Sequence, residues 1–134
     1  LLFFLLIIGF HLRYTTVFAK EWRDFSDLQN VGKVIAENVQ KNETFNIATI
    51  QRETDRWDRN AVDYRYFVES FGHKRALDWY PEDYKKANIL FVVDEGGQAD
   101  VLRSNIMEIL EFSPKKVLKT YNLPKNIVIY KLGK

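Results

Sequence analysis

Residues 51–60 read QRETDRWDRN, the stretch densest in groups that can do chemistry. Arg52, Arg56 and Arg59 can fork onto a phosphate or carboxylate, and Trp57 presents a face on which a sugar ring can stack. Asp55 and Asp58 can accept sugar hydroxyl protons or form an acid–base pair, although a spacing of three in a loop leaves their separation open. A second motif is Gly96-Gly97, where the missing side chains let a backbone approach a ligand closely. A solvated charged loop and a plain chain turn are the competing readings of these two stretches. A third motif is DYRYFVE, at 63–69. Its aromatics could stack on a sugar or a base. However, Tyr64, Phe67, Val68 and Phe71 follow the i, i+3, i+4, i+7 spacing of a buried helical stripe, which leaves Tyr66 off the stripe. Arg65 and Glu69, four apart, can pair on another face of that helix.

Other chemistries lack their residues. The chain has no cysteine, which removes disulfides, thiolate nucleophiles and cysteine-based metal sites. His11 and His73 lie too far apart in sequence for a metal-ligand spacing, so no metal is expected. Ser26, Ser70, Ser104 and Ser113 have no histidine in a triad-like arrangement. Neither G-x-G-x-x-G nor a P-loop occurs, so no nucleotide cofactor is expected.

The elements that must position these residues follow from hydrophobic spacing. Ser26 to Gln29 has the form of a capping box, and the apolar face behind it predicts a helix over 27–41. FNIATI, at 45–50, reads as a strand. The DYRYFVE helix follows, capped near 60–63 and ended by Gly72. Residues 75–79 suggest a short strand and PEDY, at 81–84, a turn. ILFVV, at 89–93, is apolar throughout and bounded by polar turns, as a fully buried central strand requires. A helix over 99–111 would turn Leu102, Ile106, Ile109 and Leu110 inward before Pro114. Strands over 116–121 and 126–132, joined by a short turn, predict an antiparallel hairpin at a sheet edge. The Asn42-Glu43-Thr44 sequon reads as a polar turn. This order predicts an α/β fold, a three-layer sandwich with a mostly parallel sheet and a C-terminal antiparallel hairpin. In such sheets ligands lie beyond the carboxyl ends of the strands, where both the 51–60 loop and the Gly96-Gly97 loop fall.

At 134 residues the chain is long enough for one core, and 46% hydrophobic with 28% charged residues is globular composition. A net charge of +2, from 20 basic and 18 acidic residues interleaved, offers no basic stripe, so nucleic acid is not expected as a partner. The chain opens LLFFLLIIGF without an initiating methionine, which suggests a fragment or a processed product. Residues 1–12 as a helix would reach about 18 Å, short of a hydrocarbon core of roughly 30 Å. The preferred reading is the end of a transmembrane helix, with 1–23 as helix end and juxtamembrane linker and 24–134 as a soluble α/β domain. A signal peptide, a pilin-like helix and a buried core helix are the alternatives.

FNIATI, DYRYF with its following glycine, the ILFVV strand and the late IVIYKL strand, behind an apolar segment, resemble one known group. It is the C-terminal region of bacterial multi-spanning membrane glycosyltransferases, the superfamily of the dolichyl-phosphate-mannose protein mannosyltransferases and the aminoarabinose transferases of lipid A. The resemblance spans most of the chain. It implies a non-catalytic C-terminal soluble domain of an enzyme that uses a polyprenyl-phosphate-linked sugar donor, with the catalytic residues outside this stretch. The implied partners are the membrane, through the N-terminal helix, the remainder of the same polypeptide, and a glycan or polyprenyl-phosphate sugar. The implied location is the cell membrane, with the soluble domain extracytoplasmic. Arg13, Lys20 and Arg23 beyond the apolar run point the other way under the positive-inside rule. The alternative is a membrane-tethered ligand- or protein-binding module with no enzymatic role. Its contacts would be Arg52, Asp55, Arg56, Trp57, Asp58, Arg59, Gly96 and Gly97.

Overall fold

The computed structural model describes residues 4, 23–52 and 61–134. In chain order the elements are α1 (Phe25–Glu37), β1 (Phe45–Ile50), α2 (Val62–Gly72), α3 (Pro81–Lys86), β2 (Ile89–Asp94), α4 (Met107–Phe112), β3 (Lys116–Asn122) and β4 (Val128–Gly133). A 3-10 turn at Pro124–Asn126 joins the last two strands. The expected end of a transmembrane helix falls outside the described residues except for Phe4. No helix among the described residues is long and apolar enough to cross a membrane.

Helix α1 begins two residues before the capping box read from Ser26. The box is formed by Asp24 and Asp27: the Asp24 side chain accepts from the Asp27 amide at 3.0 Å, and the Asp27 side chain accepts from the Asp24 amide at 2.8 Å. Two acidic groups at a helix N-terminus also suit its dipole, and Lys125 pairs with both. The helix stops at Glu37 rather than running to 41. The Asn38 side-chain amide takes the Val34 carbonyl at 2.8 Å, a local bond that competes with helix continuation.

The sheet has four strands in the order β1-β2-β4-β3. β1 runs parallel to β2, pairing Phe45 with Ile89 through to Ile50 with Asp94. β4 is antiparallel to both β2 and β3, so the sheet is mixed rather than mostly parallel. The hairpin turn makes β3 and β4 antiparallel to each other, and β4 is the one of the two that docks beside β2, running opposite to it. The expected hairpin is present, with β3 at the sheet edge.

Alternation along the strands divides the core by sheet face. Phe45, Ile47, Ile89, Phe91 and Val93 pack with Val31 and Ile35 of α1 and Tyr64 and Val68 of α2. Ala48, Leu90 and Val92 pack with Tyr84 of α3 and Ile109 and Phe112 of α4. Every residue of β2 is buried, as a central strand demands. The helices α1 and α2 meet closely: a Cβ on Gly72 would stand 2.1 Å from the Cβ of Ala36.

Two expected elements differ. Residues 75–79 form no strand; they lie along the free edge of β1, where the Leu77 amide donates to Phe45 O at 3.0 Å and the Asn46 side chain donates to Asp78 O at 2.9 Å. The helix expected over 99–111 is only the six residues of α4, and Leu102 and Leu110 are exposed instead of inward. The Asp94 carboxylate accepts from the amides of Gly96 (2.9 Å) and Ala99 (2.8 Å), which holds the chain in a loop where a helix would have begun. PEDY begins the short helix α3, with Pro81 at a position where its missing N–H costs nothing.

Candidate functional site

The parallel pair β1 and β2 ends at Ile50 and Asp94, and a polar cluster is built just beyond those carboxyl ends. Its centre is Glu95, the first residue after β2, which is fully buried. The Glu95 amide donates to Ile50 O at 3.0 Å, fastening the two strand ends. Its carboxylate accepts from Tyr64 Oη at 2.9 Å, from the Arg52 amide at 3.1 Å and from Arg23 Nη1 at 3.4 Å. Arg23 also pairs with Asp63 and lies over the Tyr64 ring, 5.4 Å from its centroid. These groups come from the chain ahead of α1, from α2 and from both strand ends.

A buried carboxylate is tolerable only when paired and hydrogen-bonded, and this one is both. Burial, reinforced by the neighbouring Glu95 charge, raises the Tyr64 hydroxyl well above the usual tyrosine range, so it stays a proton donor. Burial opposes the Arg23 cation, yet Tyr64, Glu95 and Asp63 outweigh it and hold the guanidinium above its ordinary value. With no surface of its own open to solvent, Glu95 has no path to a substrate in this conformation. Chemically the cluster is a latch. It bolts the chain ahead of α1 to the end of the sheet.

A second buried polar cluster lies along the free edge of β1. Arg65 reaches from α2 to the side chain of Asn46 and the carbonyl of Leu77, to Ile47 O at 3.0 Å and to Tyr84 Oη at 3.0 Å. Tyr84 in turn donates to Ile47 O at 3.2 Å. The pairing with Glu69 anticipated from spacing gives way to these contacts, because the edge carbonyl of Ile47 has no neighbouring strand to satisfy it. Burial pushes the Tyr84 hydroxyl up to about 12, and burial also raises the Glu108 carboxyl nearby.

The site residues anticipated from sequence are not all brought together. Arg52 stands exposed at the end of β1, and its main chain meets Glu95. Asp55, Arg56, Trp57, Asp58 and Arg59 lie outside the described residues. Gly96 and Gly97 line a cleft of about 320 Å³ with Gln98, Asn122, Asn126 and Val128, between the loop after β2 and the hairpin turn. Arg52 does not line it. At Gly97 the close neighbour is the chain's own backbone. Gly97 has a φ of +70°, and a Cβ there would sit 2.6 Å from Asn126 O. Gly96 has ordinary room.

On α2, Tyr64, Phe67 and Val68 are buried as the stripe predicts, whereas Phe71 and Tyr66 are exposed. Arg23 and Glu95 were not legible as a pair, being 72 positions apart. The available signals were a glutamate directly behind a wholly apolar strand, and a tyrosine on a buried stripe whose hydroxyl needs a partner. Among the described residues no group of three or more histidine or acidic side chains could hold a metal ion. No family model, curated protein or solved structure matches this chain.

Proposed function

We propose that the chain is the non-catalytic C-terminal soluble domain of a membrane glycosyltransferase that uses a polyprenyl-phosphate-linked sugar donor. The domain is extracytoplasmic and held at a set angle to the membrane portion that precedes it. The observation that carries this reading is the latch: Arg23, ahead of α1, is clamped to Asp63 and Glu95 rather than left as a free linker. A domain whose work is to cover a neighbouring body, or position an acceptor on it, needs a fixed joint, and a buried charge pair supplies one. In this reading α3 and α4 form the third layer of a sandwich, over the sheet face opposite α1 and α2.

The test uses the full-length gene product in membranes. Transfer of sugar from a polyprenyl-phosphate donor is expected from the full-length protein, and none from residues 1–134 alone. Arg23→Ala is expected to lower transfer without abolishing it. Transfer by the 1–134 chain itself, or no transfer by the full-length protein, overturns the reading. The side of the membrane is checked with Arg103→Cys in this cysteine-free chain: an impermeant maleimide added to intact cells should label it.

A membrane-tethered ligand-binding module is the second reading, favoured by the cleft beside Gly96 and Gly97. Gln98, Asn122 and Asn126 there supply neutral amide donors and acceptors suited to sugar hydroxyls. Saturable binding of free monosaccharides or short glycans to the 1–134 chain, lost in Asn126→Ala, would favour it.

A further inference from the structure

The outer surface where α1 and α2 meet carries an aromatic face that the fold leaves open. Phe25 and Tyr66 are each 61% exposed, Phe71 46% and Val62 44%. The three aromatic rings surround the buried Phe67 ring, with centroids of Phe25 at 5.0 Å, Phe71 at 5.4 Å and Tyr66 at 5.5 Å from it. Phe25 and Phe71 also meet edge to face at 6.2 Å. The face is therefore one contiguous and internally braced surface, including the Tyr66 side chain that no core packing accounts for. Aromatic rings left in water at one place on a small domain mark a contact surface.

We propose that this face rests on the membrane surface, with the Phe25, Tyr66 and Phe71 rings at headgroup depth; the inference rests on the reading of the chain as membrane-adjacent. Three observations select lipid as the occupant. First, the apolar run over 1–12 and the face are separated by only residues 13–22 and the latched Arg23. Even fully extended, ten residues reach about 35 Å, which bounds how far Arg23 can stand from the end of the apolar run. Second, the latch fixes the chain just ahead of Phe25, two residues from the aromatic face, so tether and face lie on the same side of the domain. Third, the face is too small for a stable pair of chains. Four partly exposed side chains offer on the order of 400 Å², against about 800 Å² per partner in a standard interface. Phenylalanine and tyrosine side chains with an apolar body and, for tyrosine, a polar tip suit the boundary between headgroup and acyl chain. Lys33 shares a groove with Phe71 and with Glu37, to which it is paired at 3.9 Å, so this part of the rim carries both signs of charge.

The absence of cysteine makes the test direct. Single cysteines Tyr66→Cys, Phe71→Cys and Arg103→Cys are introduced into the 1–134 chain and labelled with a nitroxide. The chains are reconstituted into vesicles of phosphatidylcholine with one-fifth phosphatidylglycerol. Relaxation by oxygen, which favours the bilayer, is compared with relaxation by a water-soluble nickel chelate. Labels at 66 and 71 should show an oxygen-to-nickel ratio several-fold above that at 103, which lies in the loop before α4. Vesicle flotation separates the two layers of the argument. If the chain floats but labels at 66 and 71 are as water-accessible as the label at 103, the tether stands and the docking face is refuted. If the chain does not float, the membrane-adjacent reading fails and the proposal with it. Immobilisation of the labels that follows chain concentration without lipid makes a second copy the occupant, and also overturns it.

Discussion

Replacing Tyr64 with phenylalanine removes one hydroxyl from the latch, with its bond to Glu95 and its interaction with Arg23. The ring is 1% exposed and stays packed among α1, α2 and the sheet, so only the hydroxyl is lost. That hydroxyl donates at 2.9 Å to a carboxylate with no access to water, so Glu95 cannot recover the bond from solvent. A hydrogen bond to a charged group contributes about 1.5–3 kcal/mol, and the upper part applies where the bereft partner stays buried. The Arg52 amide and Arg23 remain on Glu95, which argues for the middle of that range, about 2 kcal/mol. For a chain of this size that corresponds to a fall in melting temperature of roughly 6–10 °C.

The assay is thermal and urea unfolding followed by circular dichroism, on the single variant, on Glu95→Gln and on the double variant. Direct contact predicts non-additivity of about 1 kcal/mol, since Tyr64→Phe removes the donor while Glu95→Gln replaces its charged acceptor with a weaker, neutral amide oxygen. The m-value should not change, because the surface exposed on unfolding is the same. Refutation is specific. A Tyr64→Phe midpoint within about 1 °C of the parent, together with additive single changes, would mean that the hydroxyl does not rely on Glu95. The latch at the strand ends would then be something else.

Phe91→Ala should cost about 3–5 kcal/mol, because the ring is fully buried in the central strand and meets Phe45 edge to face at 6.0 Å; urea unfolding giving under about 1 kcal/mol would refute that placement. Gly97→Ala should destabilise by about 1–3 kcal/mol, through both its positive φ and its contact with Asn126 O, while Gly96→Ala stays within about 0.5 kcal/mol; similar melting temperatures for the two variants would contradict the loop geometry. Alkaline stability should carry a tyrosine signature. Tyr84 is held at about 12 in the folded chain, above the unfolded value of about 10. Its contribution is therefore complete below pH 10 and lost as pH rises from about 10 towards 12, because the unfolded chain releases the proton first. Urea unfolding across pH 9–12 should show a shallower decline in Tyr84→Phe than in the parent, and identical slopes would count against the burial of that hydroxyl.

Both strands of the parallel pair were legible because their signals are local. FNIATI alternates apolar and polar residues in its first half, ILFVV is a wholly apolar run, and each forms the strand its pattern predicts. Helix α2 was legible for the same reason, with Gly72 as its last residue and His73 capping in the left-handed conformation. What failed was decided at long range. Leu102, Ile106, Ile109 and Leu110 have helical spacing, but spacing carries no information on the Asp94 carboxylate that holds the loop ahead of them. Arg65 and Glu69 have the spacing of a helix pair, yet an unsatisfied carbonyl on a strand edge is worth more to Arg65 than a surface ion pair. The direction of β4 beside β2 was equally hidden, since which edge a hairpin chooses is a property of the assembled sheet.

Both polar clusters answer to one topological fact. Among the described residues, β1 joins the sheet through the single parallel pairing, and it lies at an edge. Its outward carbonyls need partners from elsewhere, and Arg65, Tyr84 and the Leu77 amide provide them. Its carboxyl end forms, with that of β2, the crevice where open parallel sheets hold ligands. Among the described residues that crevice is taken by Arg23, Tyr64 and Glu95, three side chains of the chain itself. Here the guanidinium from the chain ahead of α1 lies where a cationic or hydrogen-bonding ligand would meet Glu95, and it ties that segment to the strand ends. Under the proposed accessory function, Arg23 rather than any residue of the cleft is therefore the position whose loss should uncouple the domain from the membrane portion.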